Sequence, residues 1–448
     1  MIVRNKKVLV YGLGESGQGA IKLLLKHKAK VYVYDDNKKA LDNLPNNLIK
    51  VENITENILS VVDLIVLNPS VSIYCENIKL AYLLNKKIIS EIELAYLFKK
   101  GDVISITGSN GKSTTSTLIY NILKQAKIKT SLVGNIGNSF SKIVSENKKQ
   151  TYVVEVSSFQ LETTNKYNSK IATFLNFTEN HLDRHFSLKE YFETKLKIFS
   201  NQRKKDFSVL NYDDEKVRDI KTNGKTYYFS KYNKVKGVYI FNNYIFFNDG
   251  KFEEKVMSVF DIKLKGEHNL ENVLCAVLVA KLYKIKNEHI SLAVSRFYGL
   301  SHRIEFVEKV NDIDYYNDSK STTVKSTQTA INCFDRDRVL LILGGSDKGF
   351  GFDDLFENLP KQVKSIICLG EVKDKILSSS KKYNFNNIQC VDSFNLAVKL
   401  SYIISKRENL NVVLLSPATA SFDSFKNFEE RGDTFKKLVK DLKSEVEV

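Results

Sequence analysis

Short, almost wholly apolar runs alternate with longer amphipathic stretches along this chain. Lys7–Tyr11, Val31–Tyr34, Leu64–Leu67 and Lys87–Ile89 read as strands buried on both faces of a parallel sheet, with helical segments between them. The same alternation resumes with Asp102–Thr107, Tyr152–Val156 and Ile171–Asn176. It appears a third time with Asp314–Asn317, Arg338–Leu343, Ser365–Leu369 and Asn411–Ser416. Between Val209 and Leu264 the period shortens, and Tyr227-Tyr228-Phe229 and Tyr239–Phe247 flank an Asn242-Asn243 turn. That pattern predicts an antiparallel insertion. Gly266–Tyr283 predicts a long helix. The expected build is α/β with three domains, 1–92, 93–298 and 299–448, each on a mainly parallel sheet. Ligands of such sheets sit at the carboxyl ends of the strands.

Composition adds limits. The 448 residues suit about three domains. No apolar run reaches the ~20 residues that cross a bilayer, and Met1–Val8 leads into a strand with no signal-peptide core. A cytoplasmic protein without membrane insertion is expected, and a monomer. The five cysteines lack CxxC spacing, which argues against a disulfide framework or a zinc ribbon. The net charge of +16 comes from lysines spread along the whole chain, so it reads as a solvated surface rather than a nucleic-acid site. A positive field also suits anionic nucleotides.

The chemistry concentrates at strand ends. Gly108-Ser109-Asn110-Gly111-Lys112-Ser113-Thr114 joins an apolar strand to a helix that runs through Gln125. Loop N–H groups, the helix dipole and Lys112 converge there, a cradle for nucleotide phosphates, and the Ser113 hydroxyl suits a magnesium ion. Ile106 stands where the commoner loop has its first glycine, so this is a shortened variant. Gly12-Leu13-Gly14-Glu15-Ser16-Gly17, with Asp35 ending the second strand, forms a dinucleotide fingerprint. Alone it suggests an NAD-dependent oxidoreductase, but any nucleoside diphosphate, a UDP-sugar included, satisfies it. Glu155 is a carboxylate inside a buried strand, so it needs either a magnesium ion or an Arg or Lys partner. His181 and His185 are four apart, the spacing of a zinc pair, but HExxH is absent and His181 alone is the preferred ligand. Lys195 and Lys197 fall on different faces of one amphipathic helix, and spacing does not choose between them. Asn269 and Asn272 share a helix face, suiting either capping or a purine or hydroxyl-rich ligand. Four polar loops close the chain's inventory: Ser301–Glu305, Asn317–Thr322, Gly344–Gly349 and Ser416–Asp423.

Together these motifs resemble the Mur ligase family, the ATP-dependent amide-forming enzymes of peptidoglycan precursor synthesis. The resemblance rests on Gly108–Thr114, Glu155, Asn180-His181-Leu182-Asp183, His268-Asn269, His302-Arg303 and Asn317-Asp318-Ser319-Lys320, in the family's order over the whole chain. Within it, Gly12–Gly17, Leu343-Gly344-Gly345 with Lys348, Leu415–Asp423 and Phe425–Gly432 are similar to the member that adds D-glutamate. The Asp-Asn-Pro-Arg run of the diaminopimelate-adding member is absent.

The resemblance implies Rossmann-like first and third domains around a P-loop ATPase-like centre, with ATP, two magnesium ions and a carbamate on Lys195. UDP-N-acetylmuramoyl-L-alanine is implied to meet Gly14, Ser16, Asp35, Asn135 and His181. ATP is implied to meet Gly108–Thr114, Asn269, Asn272, Arg303 and Asp318; D-glutamate to meet Lys348, Thr322, Ser416 and Phe422. Ser113, Glu155, His181 and Lys195 are the implied metal ligands, and Lys112, His181, Lys195 and Lys320 the implied catalytic set. Asn37 departs from close relatives within the family, which carry Arg two residues after the Asp that matches Asp35, and His185 matches no family role. An oxidoreductase leaves the second phosphate loop unexplained, and a nucleic-acid ATPase leaves the first domain unexplained. A Mur-type ligase for another amino acid is the remaining alternative.

Overall fold

The computed structural model describes residues 3–42, 44–181 and 184–446. The chain folds as two units, Met1–Ile262 with Leu270–Arg296, and Lys263–Asn269 with Phe297–Val448.

The first unit holds two sheets. One consists of β1 (Lys7–Tyr11), β2 (Lys30–Tyr34), β3 (Ile49–Lys50), β4 (Leu64–Leu67) and β5 (Ile88–Ser90), all parallel, in the order β3-β2-β1-β4-β5. The other consists of β6 (Val103–Thr107), β7 (Thr130–Gly134), β8 (Thr151–Glu155), β9 (Ile171–Phe174), β10 (Phe207–Asn211), β11 (Lys225–Ser230), β12 (Gly237–Phe241), β13 (Tyr244–Asn248) and β14 (Glu253–Ser258). Its order is β14-β13-β12-β11-β10-β9-β6-β8-β7.

The antiparallel insertion is smaller than the sequence pattern predicts. Only β12, β13 and β14 pair antiparallel; β10 and β11 pair parallel with each other, and β10 with β9. The link between β10 and β11 passes through the helix Glu215–Arg218 rather than a tight turn, which leaves room for a parallel crossover. The β12–β13 hairpin turns at Asn242 (φ 48°) and Asn243 (φ 61°), left-handed positions that asparagine tolerates.

The second unit carries β15 (Glu305–Val310), β16 (Ile313–Asn317), β17 (Val339–Gly344), β18 (Val363–Leu369), β19 (Ile388–Cys390) and β20 (Val412–Leu415), ordered β15-β16-β20-β17-β18-β19. Only β15–β16 is antiparallel. Central strands such as β17 and β20 are buried at every residue, hence their continuous apolar runs.

In each sheet the chain reverses its direction of growth beside one strand: β1 lies between β2 and β4, β6 between β8 and β9, β20 between β16 and β17. Crevices at the carboxyl ends of such strands are where α/β sheets take ligands. Among the described residues no helix is long and apolar enough to cross a membrane.

Candidate active site

The loop from β6 to the helix Lys112–Gln125 is tightly staked to the end of β9. Ser109 N donates to Asn176 O (3.0 Å), Asn110 N to the Asn176 side-chain oxygen (2.9 Å), and Ser109 Oγ to Thr178 O (2.9 Å). Gly111 has φ 80°, and a Cβ there would run into the Asn272 amide, so only glycine fits. Asn272 also accepts from Thr115 Oγ1 (3.1 Å), supporting the loop from behind. Lys112 Nζ folds back onto Gly108 O (3.0 Å) and Ser109 O (2.9 Å).

A second amine shares that carbonyl. Lys195 Nζ donates to Gly108 O (2.8 Å), lies 4.7 Å over the Tyr191 ring, and is 1% exposed. Burial, and then Lys112, hold its pKa well below the usual lysine value, with Glu155 opposing them. Helical spacing left Lys195 and Lys197 unranked. Lys197 is half-buried and donates to Glu162 O (2.6 Å), so Lys195 is the one beneath the phosphate loop. Tyr191, which carried no role in the sequence reading, donates to Ser109 Oγ (3.3 Å) and supplies the ring beside Lys195.

Glu155 ends β8 and is 1% exposed. Its Oε1 accepts from Asn135 Nδ2 (2.9 Å), while Oε2 is buried with no hydrogen-bond partner. Asn135 N also donates to Glu155 O (2.9 Å). Among the described residues no salt bridge reaches Glu155, and no group of three His, Cys, Asp or Glu side chains has a metal-binding arrangement. One bare carboxylate oxygen suits magnesium, which binds through one or two carboxylates plus substrate phosphates and keeps much of its water.

His181 is half-buried in a left-handed conformation (φ 56°), edge-on to Phe159 at 5.0 Å between ring centres. The Leu182 and Asp183 of its motif lie outside the described residues. His185 is buried, with Nε2 3.0 Å from Ser158 Oγ and rings of Phe159 and Tyr191 alongside. Burial lowers its pKa.

Just past β2, Asp35 accepts from Leu13 N (2.7 Å) and Asn37 N (2.8 Å), tying the glycine loop that follows β1 to the end of its neighbouring strand. Gly14 caps the helix Glu15–Lys26, and Ser16 lies half-buried in its first turn. Asn37 accepts from Lys39 N (3.3 Å) as the cap of a short turn.

The second unit gathers the remaining candidates. Asp318 follows β16, is 2% exposed, and accepts from Ser416 Oγ (2.7 Å) and Ile304 N (3.2 Å). Burial pushes its pKa up to about 6, with nearby Arg303 opposing. Asn269 donates to Lys265 O (2.7 Å) at the start of its helix. Ser416 is wholly buried against Asp318 and Thr327, whereas Thr322 and Lys348 line an open cavity of about 330 Å³. Phe422 is 71% exposed. Lys320 is exposed, 5.4 Å over the Phe428 ring.

These loops are tied together by Arg431, 2% exposed, which the sequence offered only as part of a motif. Its guanidinium donates to Ser319 Oγ (2.9 Å), Ser319 O (2.9 Å), Ala420 O (3.0 Å), Thr419 O (3.1 Å) and Gly344 O (3.4 Å). The next residue, Gly432, leaves room for the His302 ring; a Cβ there would strike Nδ1.

Known proteins carry the same parts. Family models for a Mur ligase MurD-like N-terminal domain, a Mur ligase middle domain and a Mur ligase glutamate ligase domain match residues 6–90, 106–280 and 302–419. The UDP-N-acetylmuramoylalanine--D-glutamate ligase of Clostridioides difficile is 41% identical over 99% of this chain and 100% of its own length. Its counterpart from Bacillus cereus is 38% identical over 98% of each. Among solved structures, MurF ligase from Thermotoga maritima in complex with ADP aligns with a TM-score of 0.57 at 16% identity, covering 98% of this chain and 96% of that one. A UDP-N-acetylmuramoyl-L-alanyl-D-glutamate--2,6-diaminopimelate ligase aligns at 0.60 and 15% identity, over 89% and 93%; at such identities these two structures speak for the fold alone. With three family models spanning most of its length and full-length relatives well above 30% identity, the chain belongs to the Mur ligase family.

Proposed function

We propose that this chain joins D-glutamate to UDP-N-acetylmuramoyl-L-alanine, converting ATP to ADP and phosphate. The observation that carries it is the phosphate loop standing over a buried lysine and a half-unpartnered buried carboxylate, in a chain that matches D-glutamate ligases over its full length. The working division is 1–92 for the UDP moiety, 93–298 for ATP and 299–448 for the amino acid. The protein works as a cytoplasmic monomer.

In the reaction, a carboxylate oxygen of the acceptor attacks the γ-phosphorus of ATP and ADP leaves. The amine nitrogen of D-glutamate then attacks the acyl phosphate carbon, loses a proton, and phosphate leaves. No protein nucleophile is required, so catalysis is positioning and charge stabilisation. Lys112 exchanges the Gly108 and Ser109 carbonyls for phosphate oxygens, aided by the N–H groups of Gly108–Thr114. Asn269, Arg303 and Asp318 bind ATP, and Asn272 holds the loop in shape. Gly14, Ser16, Asp35, Asn135 and His181 serve the UDP-linked substrate; Lys348, Thr322, Ser416 and Phe422 serve D-glutamate; Lys320 serves the reacting phosphate.

Glu155 Oε2 with Ser113, and His181 with Lys195, would hold magnesium. Bound there, the ions neutralise charge on phosphate and carboxylate oxygens. Burial fits Lys195 for carbamylation, which needs a neutral amine and turns a cation into an anionic ligand.

The test is phosphate release from ATP by the full-length protein with each substrate present or omitted. Release that requires both supports the assignment; release indifferent to either one overturns it. Substituting other D-amino acids decides between this activity and a ligase for a different amino acid.

A further inference from the structure

The 330 Å³ cavity of the second unit carries a second cation that the family resemblance does not assign. Lys348 reaches it from the loop after β17, and Lys325 from the first turn of the helix Val324–Ile331. Both side chains are exposed, and neither has an acidic partner among the described residues. The neighbouring acids are taken: Asp347 pairs with Lys375 (2.6 Å) and Asp353 with Lys382 (2.5 Å). Of the acids, only Asp354 lines the cavity.

Charge counting then separates the two lysines. D-glutamate is a dianion in its carboxylates, with the two groups at opposite ends of a three-carbon chain. Lys348 and Asp354 alone make a lining with no net charge, which does not favour a dicarboxylate. Lys325 turns it net positive and supplies a separate point charge for the second carboxylate. The dipole of the helix Val324–Ile331 acts in the same direction.

We propose that Lys325 determines specificity for a dicarboxylate, pairing one carboxylate of the amino-acid substrate while Lys348 pairs the other. The inference rests on the D-glutamate assignment above and extends it to a residue and a selectivity. Both ammonium groups are solvated in the free protein and lose water only when the ligand arrives. The pair therefore contributes at binding rather than to folding.

The experiment compares full-length wild type with Lys325→Met and Lys325→Arg in steady-state phosphate release. Methionine keeps stem length and helix preference at this exposed site, so the variant folds. D-glutamate is varied, and D-glutamine, identical except for a neutral side-chain amide, is measured as substrate or competitor. The expected result is a KM for D-glutamate raised about tenfold in Lys325→Met, equivalent to ~1.4 kcal/mol, with kcat nearly unchanged. The constant for D-glutamine should move less than about twofold, and Lys325→Arg should keep most of the preference. An unchanged KM for D-glutamate, or equal losses for D-glutamate and D-glutamine, overturns the role of Lys325 alone. Wild-type protein that releases no phosphate on addition of D-glutamate overturns the function and the role together.

Discussion

Asp318 offers a demanding test, because its structure predicts that a residue assigned to ATP binding weakens the fold. The carboxyl is 2% exposed, and burial prevails over the hydrogen bonding of Ser321, Ser416 Oγ and Ile304 N and pushes its pKa from 3.8 to about 6. About two pKa units at ~1.4 kcal/mol each make the ionised group cost the folded state ~3 kcal/mol near neutral pH. The sign follows from proton binding. Between pH 3.8 and about 6 the folded chain holds more protons at this site than the unfolded chain. Its contribution to stability therefore falls as pH rises through that window and stays low above it. In Asp318→Asn the amide oxygen keeps the Ile304 N–H, and the new N–H₂ donates to Ser416 Oγ, whose single proton, given to Asp318 in the wild type, turns to Thr327 Oγ1 (3.0 Å). Relief of the buried charge, less the cost of burying an amide, leaves a gain of ~1–2 kcal/mol. For a unit of this size that is a rise in Tm of about 2–8 °C. Urea and thermal unfolding of the full-length variant and wild type, at about pH 7 and about pH 4, measure it. The variant should be the more stable near neutrality, the difference should vanish or reverse at the lower pH, where only the cost of the buried amide remains, and the KM for ATP should rise. A variant less stable than wild type near pH 7, or a difference independent of pH, would falsify the account of burial at this site.

Removing the Lys195 amine (Lys195→Ala) should lower phosphate release more than ~100-fold, with partial recovery on adding a short carboxylic acid; full activity in the variant defeats the carbamate assignment. Glu93 is 2% exposed and accepts the backbone N–H groups of Asn165 (3.0 Å), Lys166 (2.8 Å) and Tyr167 (2.8 Å). Glu93→Gln turns one acceptor oxygen into a donor facing other donors, so chemical denaturation should register a loss of ~2–4 kcal/mol; a loss under ~1 kcal/mol counts against it. Arg431→Met preserves volume but removes the guanidinium donors from four backbone carbonyls and one hydroxyl, of which the Ala420 carbonyl keeps Ser346 N–H and the Ser319 hydroxyl keeps Phe428 O. It should cost ~3–5 kcal/mol and raise the KM for D-glutamate, and wild-type values for both would remove Arg431 as the tie between these loops.

Whatever local sterics and two-sided burial dictate was legible along the chain. β1 and β4 coincide with their predicted apolar runs, since strands covered on both faces cannot hide their identity. The phosphate loop and its helix were legible for a related reason: left-handed turns and close backbone approach demand glycine at fixed spacing. The short strands β3, β7 and β19 escaped because edge positions tolerate polar residues. The alternating pattern predicts antiparallel pairing for β10 and β11, which pair parallel, because alternation records which face is covered, not the direction of the neighbouring strand. Packing alone sets which of Lys195, in the last turn of its helix, and Lys197, in the 3-10 turn after it, lies under Gly108 O, that Asn135 holds one oxygen of Glu155 and leaves the other bare, and that Arg431 closes three loops. Desolvation of a charge and the meeting of groups far apart in the chain are properties of packing, and no window of sequence contains them.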